Sequence, residues 1–180
     1  MPWNVTLIVC GAPLTQRTPD LVRALLDDDW TVSVVATPSA LAWIDSPAIK
    51  RLTGAPPRSE FRDPQQPKQG GPPDAAVVCP ATFNTVNKAA VGAADTYALA
   101  QVCEALGEGV PVVAVPMVNN KLWGHPAWSR SLAVLESAGV DLMNIHTGER
   151  GAAVVQSGTS DAVVARFDPA WVTSRLKRLR

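Results

Sequence analysis

The sequence predicts an α/β fold built on a single doubly wound parallel sheet, and three observations carry that expectation. Short apolar runs recur at residues 5–10, 75–79 and 110–115, and residues 31–36 read as a further strand. Continuous apolar, β-branched runs of this length are what strands buried on both faces require. Between them lie polar turns and then segments with apolar residues at helical spacing, and strands alternating with helices predict parallel βαβ units. The chain has 180 residues, 47% of them hydrophobic, enough for one domain with a sizeable core.

Taken in order, residues 5–10 form the first expected strand, and Gly11 to Thr15 the turn after it. Thr18 reads as a helix N-cap with Pro19 at the first helical position and Asp20 in the first turn. Leu21, Val22, Leu25 and Leu26 fall at helical spacing, and the acidic run 27–29 ends that helix as a solvated turn. Residues 31–36 form the second strand. Thr37, Pro38 and Ser39 cap a short helix through Trp43, and a helical turn restarts at Ser46 and Pro47. Residues 53–73 hold six prolines and three glycines, which predicts a loop within the one domain spanning 1–180.

Two similar crossovers follow. Residues 75–79 lead into Pro80, Ala81, Thr82, Phe83, Asn84 and Thr85 and then a helical segment with Lys88, Gly92 and Asp95. Residues 95–106 read as an amphipathic helix. Residues 110–115 lead into a polar turn with Asn119, Trp123 and His125, and residues 126–137 read as a further helix. Residues 140–145 suit a short strand, 152–155 a weaker one, 161–165 a helical turn, and Asp168 caps a last helix with a basic end. Ligands of open parallel sheets bind where strands end and helices begin, so these crossovers mark the expected site.

Composition removes several classes of function. Lys plus Arg and Asp plus Glu are 16 each, so no basic footprint for non-specific nucleic-acid binding exists. No apolar run approaches the roughly 20 residues of a membrane span. The first four residues carry no basic leader region, and a cytoplasmic location is expected. Cys10, Cys79 and Cys103 form no C-x-x-C pair and read as free, mostly buried thiols, without a metal cluster. Gly11 lets the backbone approach a ligand, and the helix start beyond it fits either a phosphate site or a plain strand-to-helix turn. Neither a G-x-G-x-x-G fingerprint nor a P-loop is present.

The motifs from Pro80 to Pro126 resemble the family of homo-oligomeric, flavin-containing cysteine decarboxylases. A P-A-S/T-A-N-T signature is matched by Pro80, Ala81, Thr82, Phe83, Asn84 and Thr85, followed by Lys88, Ala90, Gly92 and Asp95. A second signature, P-x-M-N-x-x-M-W-x-x-P, is matched by Pro116, Val118, Asn119, Leu122, Trp123 and Pro126. The resemblance implies a Rossmann-like or flavodoxin-like domain that binds FMN. It implies Gly11, Ala12, Thr15, Thr37 and Ser39 near the phosphate and ribityl chain. It implies Pro80, Ala81, Thr82, Asn84 and Thr85 along the isoalloxazine, with Asp95 supporting the ribityl region. It also implies a homotrimer or a multiple of trimers, with Trp123 at a contact between subunits.

In such a decarboxylase the flavin oxidises a C-terminal cysteine to a thioaldehyde, which then loses carbon dioxide. The resemblance gives Asn119 the role of binding the substrate carboxylate. A His stands before the first signature in the family, in an H-I-x-L-x-x-x-A-D context. This chain keeps Asp74 and Ala75 near that position but has no His before Asp74, and the equivalent place falls near residues 65–67. Its two histidines are His125 and His146, of which His125 is the candidate substitute base. The expected function is therefore an FMN-binding flavoprotein with diverged flavin chemistry on a small or peptidyl substrate. The alternatives are a cysteine decarboxylase using another base and a non-catalytic flavin-binding subunit.

Overall fold

The computed structural model describes residues 3–63, 65 and 72–178. Five strands form one parallel sheet: β1 (Trp3–Val9), β2 (Trp30–Ala36), β3 (Ala75–Ala81), β4 (Val112–Pro116) and β5 (Asp141–Leu142). Their order is β2-β1-β3-β4-β5, the flavodoxin-like order. β1 pairs along its whole length with β2, from Trp3 opposite Trp30 to Val9 opposite Ala36. The chain leaves β1 in one direction for β2 and then in the other for β3. That reversal opens a crevice at the carboxyl ends of the strands, where doubly wound sheets bind ligands.

Alternation along the strands divides the core into two layers. Leu7, Val9, Val77, Val113 and Val115 face one cluster. Against it pack α1 (Thr18–Asp27), α2 (Ser46–Thr53), α7 (Ser160–Arg166) and α8 (Ala170–Lys177) through Leu21, Leu25, Ile49, Val163 and Leu176. Ile8, Val78, Val112 and Ala114 face the other. Against this second cluster pack α3 (Phe83–Ala90), α4 (Tyr97–Gly107) and α6 (Pro126–Ser137) through Val86, Leu99, Val102, Trp128 and Leu135. The short α5 (Asn120–Trp123) follows β4.

Several local expectations are revised by hydrogen bonding. Thr18 is not an N-cap: a 3₁₀ turn over Pro13–Arg17 precedes α1, and the Thr18 hydroxyl donates to the Thr15 carbonyl at 2.7 Å. The helix expected from Asp95 begins at Tyr97, because Thr96 accepts the Leu99 N–H as N-cap. The strand expected over 140–145 shortens to two residues, since Met143 turns into an antiparallel bridge with Arg150. The weak strand at 152–155 reduces to one bridge between Val155 and Asn119. Within the proline-rich stretch, Arg58 adds a single parallel bridge to Val35 on the free edge of β2. Residues 64 and 66–71 of that stretch lie outside the described residues.

The last helix, α8, is locked to β5 by one arginine. Arg175 Nη1 donates to both carboxylate oxygens of Asp141 at 2.8 Å, and Nη2 donates to the Gly148 carbonyl at 3.0 Å. Gly148 has φ +70°, and a Cβ there would stand 2.3 Å from Trp171 Cγ, so only glycine fits. The Arg175 side chain is 10% exposed and that of Asp141 34%. Removing one partner of a fully buried pair costs about 3–5 kcal/mol, and partial hydration of Asp141 reduces this. Arg175→Leu is therefore expected to lower unfolding stability by about 2–3 kcal/mol, read as a fall in the urea midpoint. An unchanged midpoint would contradict the lock.

Candidate functional site

Four strand ends and one helix start enclose a cleft of about 590 Å³. Gly11, Ala12 and Pro13 follow β1, and Thr37, Pro38 and Ser39 follow β2. Thr82 to Thr85 follow β3, and Met117 to Asn119 follow β4. Thr96 and Leu99 at the start of α4, with Leu122 of α5, complete the wall. The volume lies within the roughly 300–1,000 Å³ of small-ligand sites.

The first two turns touch because Gly11 has no side chain. A Cβ at Gly11 would stand 2.9 Å from the Ser39 carbonyl carbon, carbonyl oxygen and Oγ. Ser39 Oγ and Thr37 Oγ1 share a hydrogen bond at 3.2 Å. Thr15, by contrast, does not face the cleft. It is fully buried beneath the turn, where its hydroxyl donates to the Cys10 carbonyl at 2.7 Å and receives the Ala12 N–H at 3.3 Å. Its role is to hold the turn's backbone rather than to offer a hydroxyl.

The third turn is also built on hydroxyls. Thr82 caps α3 by accepting the Thr85 N–H, and the two hydroxyls are 3.1 Å apart. The Cys10 thiol donates to Thr85 Oγ1 at 3.3 Å. Burial pushes the Cys10 and Cys79 thiols well above the usual thiol range, so neither offers a thiolate beside the cleft. Asn84 is exposed on the cleft wall, and its carboxamide makes no hydrogen bond among the described residues. Pro80 and Ala81 are strand residues inside β3 and do not line the cleft.

Asn119 caps α5. Its Oδ1 accepts the N–H groups of Lys121 and Leu122, both at 3.0 Å, which leaves the amide NH₂ as the group available to the cleft. Asn120 beside it anchors the C-terminal segment, its Oδ1 accepting from Ser157 N and Oγ. Asp95 lies outside the cleft wall. It pairs with Lys88, whose hydrogen bond holds the carboxyl below its usual range. His125 also lies outside the lining: its Nδ1 accepts the Ala127 N–H at 3.1 Å as cap of α6, and its ring meets Phe83 edge-on at 5.6 Å. His146 bonds the Val154 carbonyl through Nε2 and belongs to the loop after β5.

Sequence reasoning did not assign Phe83, Thr96, Leu99 and Met117 to the site, nor Pro13, Pro38, Val118 and Leu122, all of which line the cleft. Thr96 carried a readable signal, a Thr directly before a helical pattern. Phe83 stands inside the quoted signature, and its ring stacks on buried Trp128 at 5.5 Å. The described lining residues are all uncharged. The cleft can thus offer hydroxyls, amides and backbone N–H groups to a ligand but holds no general acid or base of its own.

Among the described residues no helix is long and apolar enough to cross a membrane. The Escherichia coli (strain K12) coenzyme A biosynthesis bifunctional protein CoaBC is 26% identical over 179 residues, covering 92% of this chain and 43% of the relative. The chain spans less than half the length of the curated relatives it matches. In fold it is similar to a PPC decarboxylase mutant complexed with pantothenoylaminoethenethiol. That match has a TM-score of 0.71 and 20% identity over 100% of both chains. It is also similar to the FMN-dependent cysteine decarboxylase SpaF, with a TM-score of 0.69 and 24% identity over 96% of this chain and 97% of that one. A family model described as Flavoprotein matches residues 2–165, and the chain belongs to that flavoprotein family.

Proposed function

We propose that the cleft binds FMN and that the protein is a diverged flavin-dependent enzyme acting on a small or peptidyl substrate that carries a carboxylate. The observation that carries this reading is the donor set. Neutral hydroxyls, an unpartnered Asn84 carboxamide and turns at strand ends line an uncharged crevice at the switch point of a flavodoxin-like sheet. Gly11 and Ala12 would face the phosphate with Thr37 and Ser39, and Thr82, Asn84 and Thr85 the isoalloxazine. The contact between Gly11 and the Ser39 backbone fits a turn shaped for an anionic group held by neutral donors. The flavin, when bound, supplies two-electron redox chemistry; the chain supplies position and exclusion of water.

Asn119 is the proposed carboxylate-binding residue, because its Oδ1 is taken by the helix cap and only its NH₂ remains to donate. The resemblance to cysteine decarboxylases supports the same role. A matching base has no support here: the chain has no His before Asp74, and His125 spends Nδ1 on the start of α6. The reading is therefore of a retained cofactor and carboxylate site whose proton chemistry differs from that of the decarboxylases. A homo-oligomer, in trimers or multiples of them, is part of the proposal. Leu122 next to Trp123, 43% exposed, and Val134 on α6, 41% exposed, offer apolar area for a contact.

Purified protein is expected to show a flavin absorption spectrum, with FMN as the mass of the released cofactor. Asn84→Ala is expected to weaken FMN binding by about 1–3 kcal/mol, the cost of removing an amide that the bound flavin would cover. A colourless protein that takes up no FMN would sink the reading. Light scattering of the flavin-loaded protein is expected to give a mass of three chains or a multiple, and a flavin-bound monomer would contradict this. Loss of carbon dioxide from phosphopantothenoylcysteine or from a peptide ending in cysteine is expected to be slow. A missing general acid or base lowers rates by about 10²–10⁴-fold. Mass spectrometry for a loss of 44 Da, the ~44 Da of one carbon dioxide, checks this. Turnover matching an authentic cysteine decarboxylase, abolished by His125→Ala, would instead favour a recruited base.

A further inference from the structure

One arginine lies close to the uncharged cleft without belonging to its lining. Arg58 N–H donates to the Val34 carbonyl at 2.9 Å, and its carbonyl accepts the Ala36 N–H at 2.8 Å. Arg58 therefore sits opposite Val35, and opposed residues of a ladder share a face. Val35 belongs to the cluster that packs against α3, α4 and α6. The Arg58 side chain runs to that face, and its guanidinium carbon lies 4.7 Å from the centroid of the Tyr97 ring. Phe61 closes on the same ring edge-to-face at 5.5 Å.

These contacts tie the two sides of the cleft mouth together. Ala36, which bonds the Arg58 backbone, is followed by Thr37 of one wall, and Tyr97 follows Thr96 of the other. Arg58 is exposed and makes no ion pair or side-chain hydrogen bond among the described residues. Stacking over an aromatic face fixes a guanidinium while leaving its N–H donors free in their plane. A fixed, unpaired guanidinium beside a neutral crevice suits an anion with two or three oxygens.

We propose that Arg58 is a charged anion contact beside this cleft, reaching from its position over the Tyr97 ring to the phosphate or carboxylate that the neutral donors and Asn119 hold. This deepens the flavin reading and rests on it. The oxygens have two sources under that reading, the FMN phosphate and the substrate carboxylate.

Titration calorimetry of wild type and Arg58→Gln with FMN and with riboflavin, which lacks the phosphate, separates the sources. A short peptide ending in cysteine, added to the FMN-loaded proteins as free acid and as amide, completes the set. If the phosphate is bound, Arg58→Gln raises the FMN Kd at least about tenfold, the scale of one charge-assisted contact, and leaves riboflavin unchanged. If the carboxylate is bound, both flavins are unchanged and the free-acid peptide alone weakens by about as much. Arg58→Lys, which keeps charge but loses the planar stack, is expected to fall between. The substitutions leave the backbone bridge to β2 in place, and equal melting temperatures without ligand check that. A variant that matches wild type in every titration, or that weakens FMN and riboflavin equally, overturns the proposal. Wild type that binds neither flavin overturns the flavin reading itself and this inference with it.

Discussion

The site depends on the contact between Gly11 and the Ser39 turn. At 2.9 Å from a virtual Cβ, the Ser39 backbone occupies space that any other residue at position 11 would need. Backbone cannot swing aside as a long side chain can, so the turns after β1 and β2 approach this closely only while residue 11 is glycine. Thr15 fixes the other side of the same turn from below, by bonding the Cys10 carbonyl and the Ala12 N–H. Everything the cleft presents at this end follows from that closure. The Ala12–Pro13 and Thr37–Ser39 segments become adjacent walls, and their polar groups face the same space.

The rest of the cleft is tuned by what its polar side chains have already committed. Thr82 and Thr85 bond each other and the Cys10 thiol, so the isoalloxazine side under the proposed reading is a preformed neutral network. Asn119 gives its oxygen to the start of α5 and keeps its NH₂. The outcome is a site rich in donors and poor in groups that titrate. Such a site orients a ligand and, under the proposed reading, leaves redox chemistry to a bound group. The cysteines reinforce the point, since burial holds Cys10 and Cys79 as neutral thiols.

The sheet was legible in the sequence because strands buried on both faces need nearly continuous apolar runs, as at 5–10 and 75–79, while the edge strand at 31–36 alternates with exposed Thr31 and Ser33. The mouths of the crossovers were legible for the same reason: a strand's end is where its apolar run stops. What each polar residue does there was not. A threonine near a strand end can face a ligand or its own backbone, and Thr15 takes the backbone while Thr37 lines the cleft. Asp95 is drawn to Lys88 seven residues back, and His125 caps the next helix, both local bonds that residue spacing does not distinguish from site roles. Arg58 was hidden in a stretch that composition marks as loop, because a single-residue bridge to a strand edge leaves no periodic trace. The flavoprotein family assignment rests on residues 2–165 as a whole, which no single short motif could have carried.

The central claim is that a flavin mononucleotide occupies the crevice between the ends of β1, β2, β3 and β4. Hydrogen exchange with and without added FMN tests it at the level of the backbone. The account predicts slowed exchange in peptides covering residues 11–15, 37–43, 82–86 and 117–122, and no change around 139–150 or 172–178, the region of the Arg175 lock. Protection confined to that far region, or absent everywhere at saturating FMN, would contradict it.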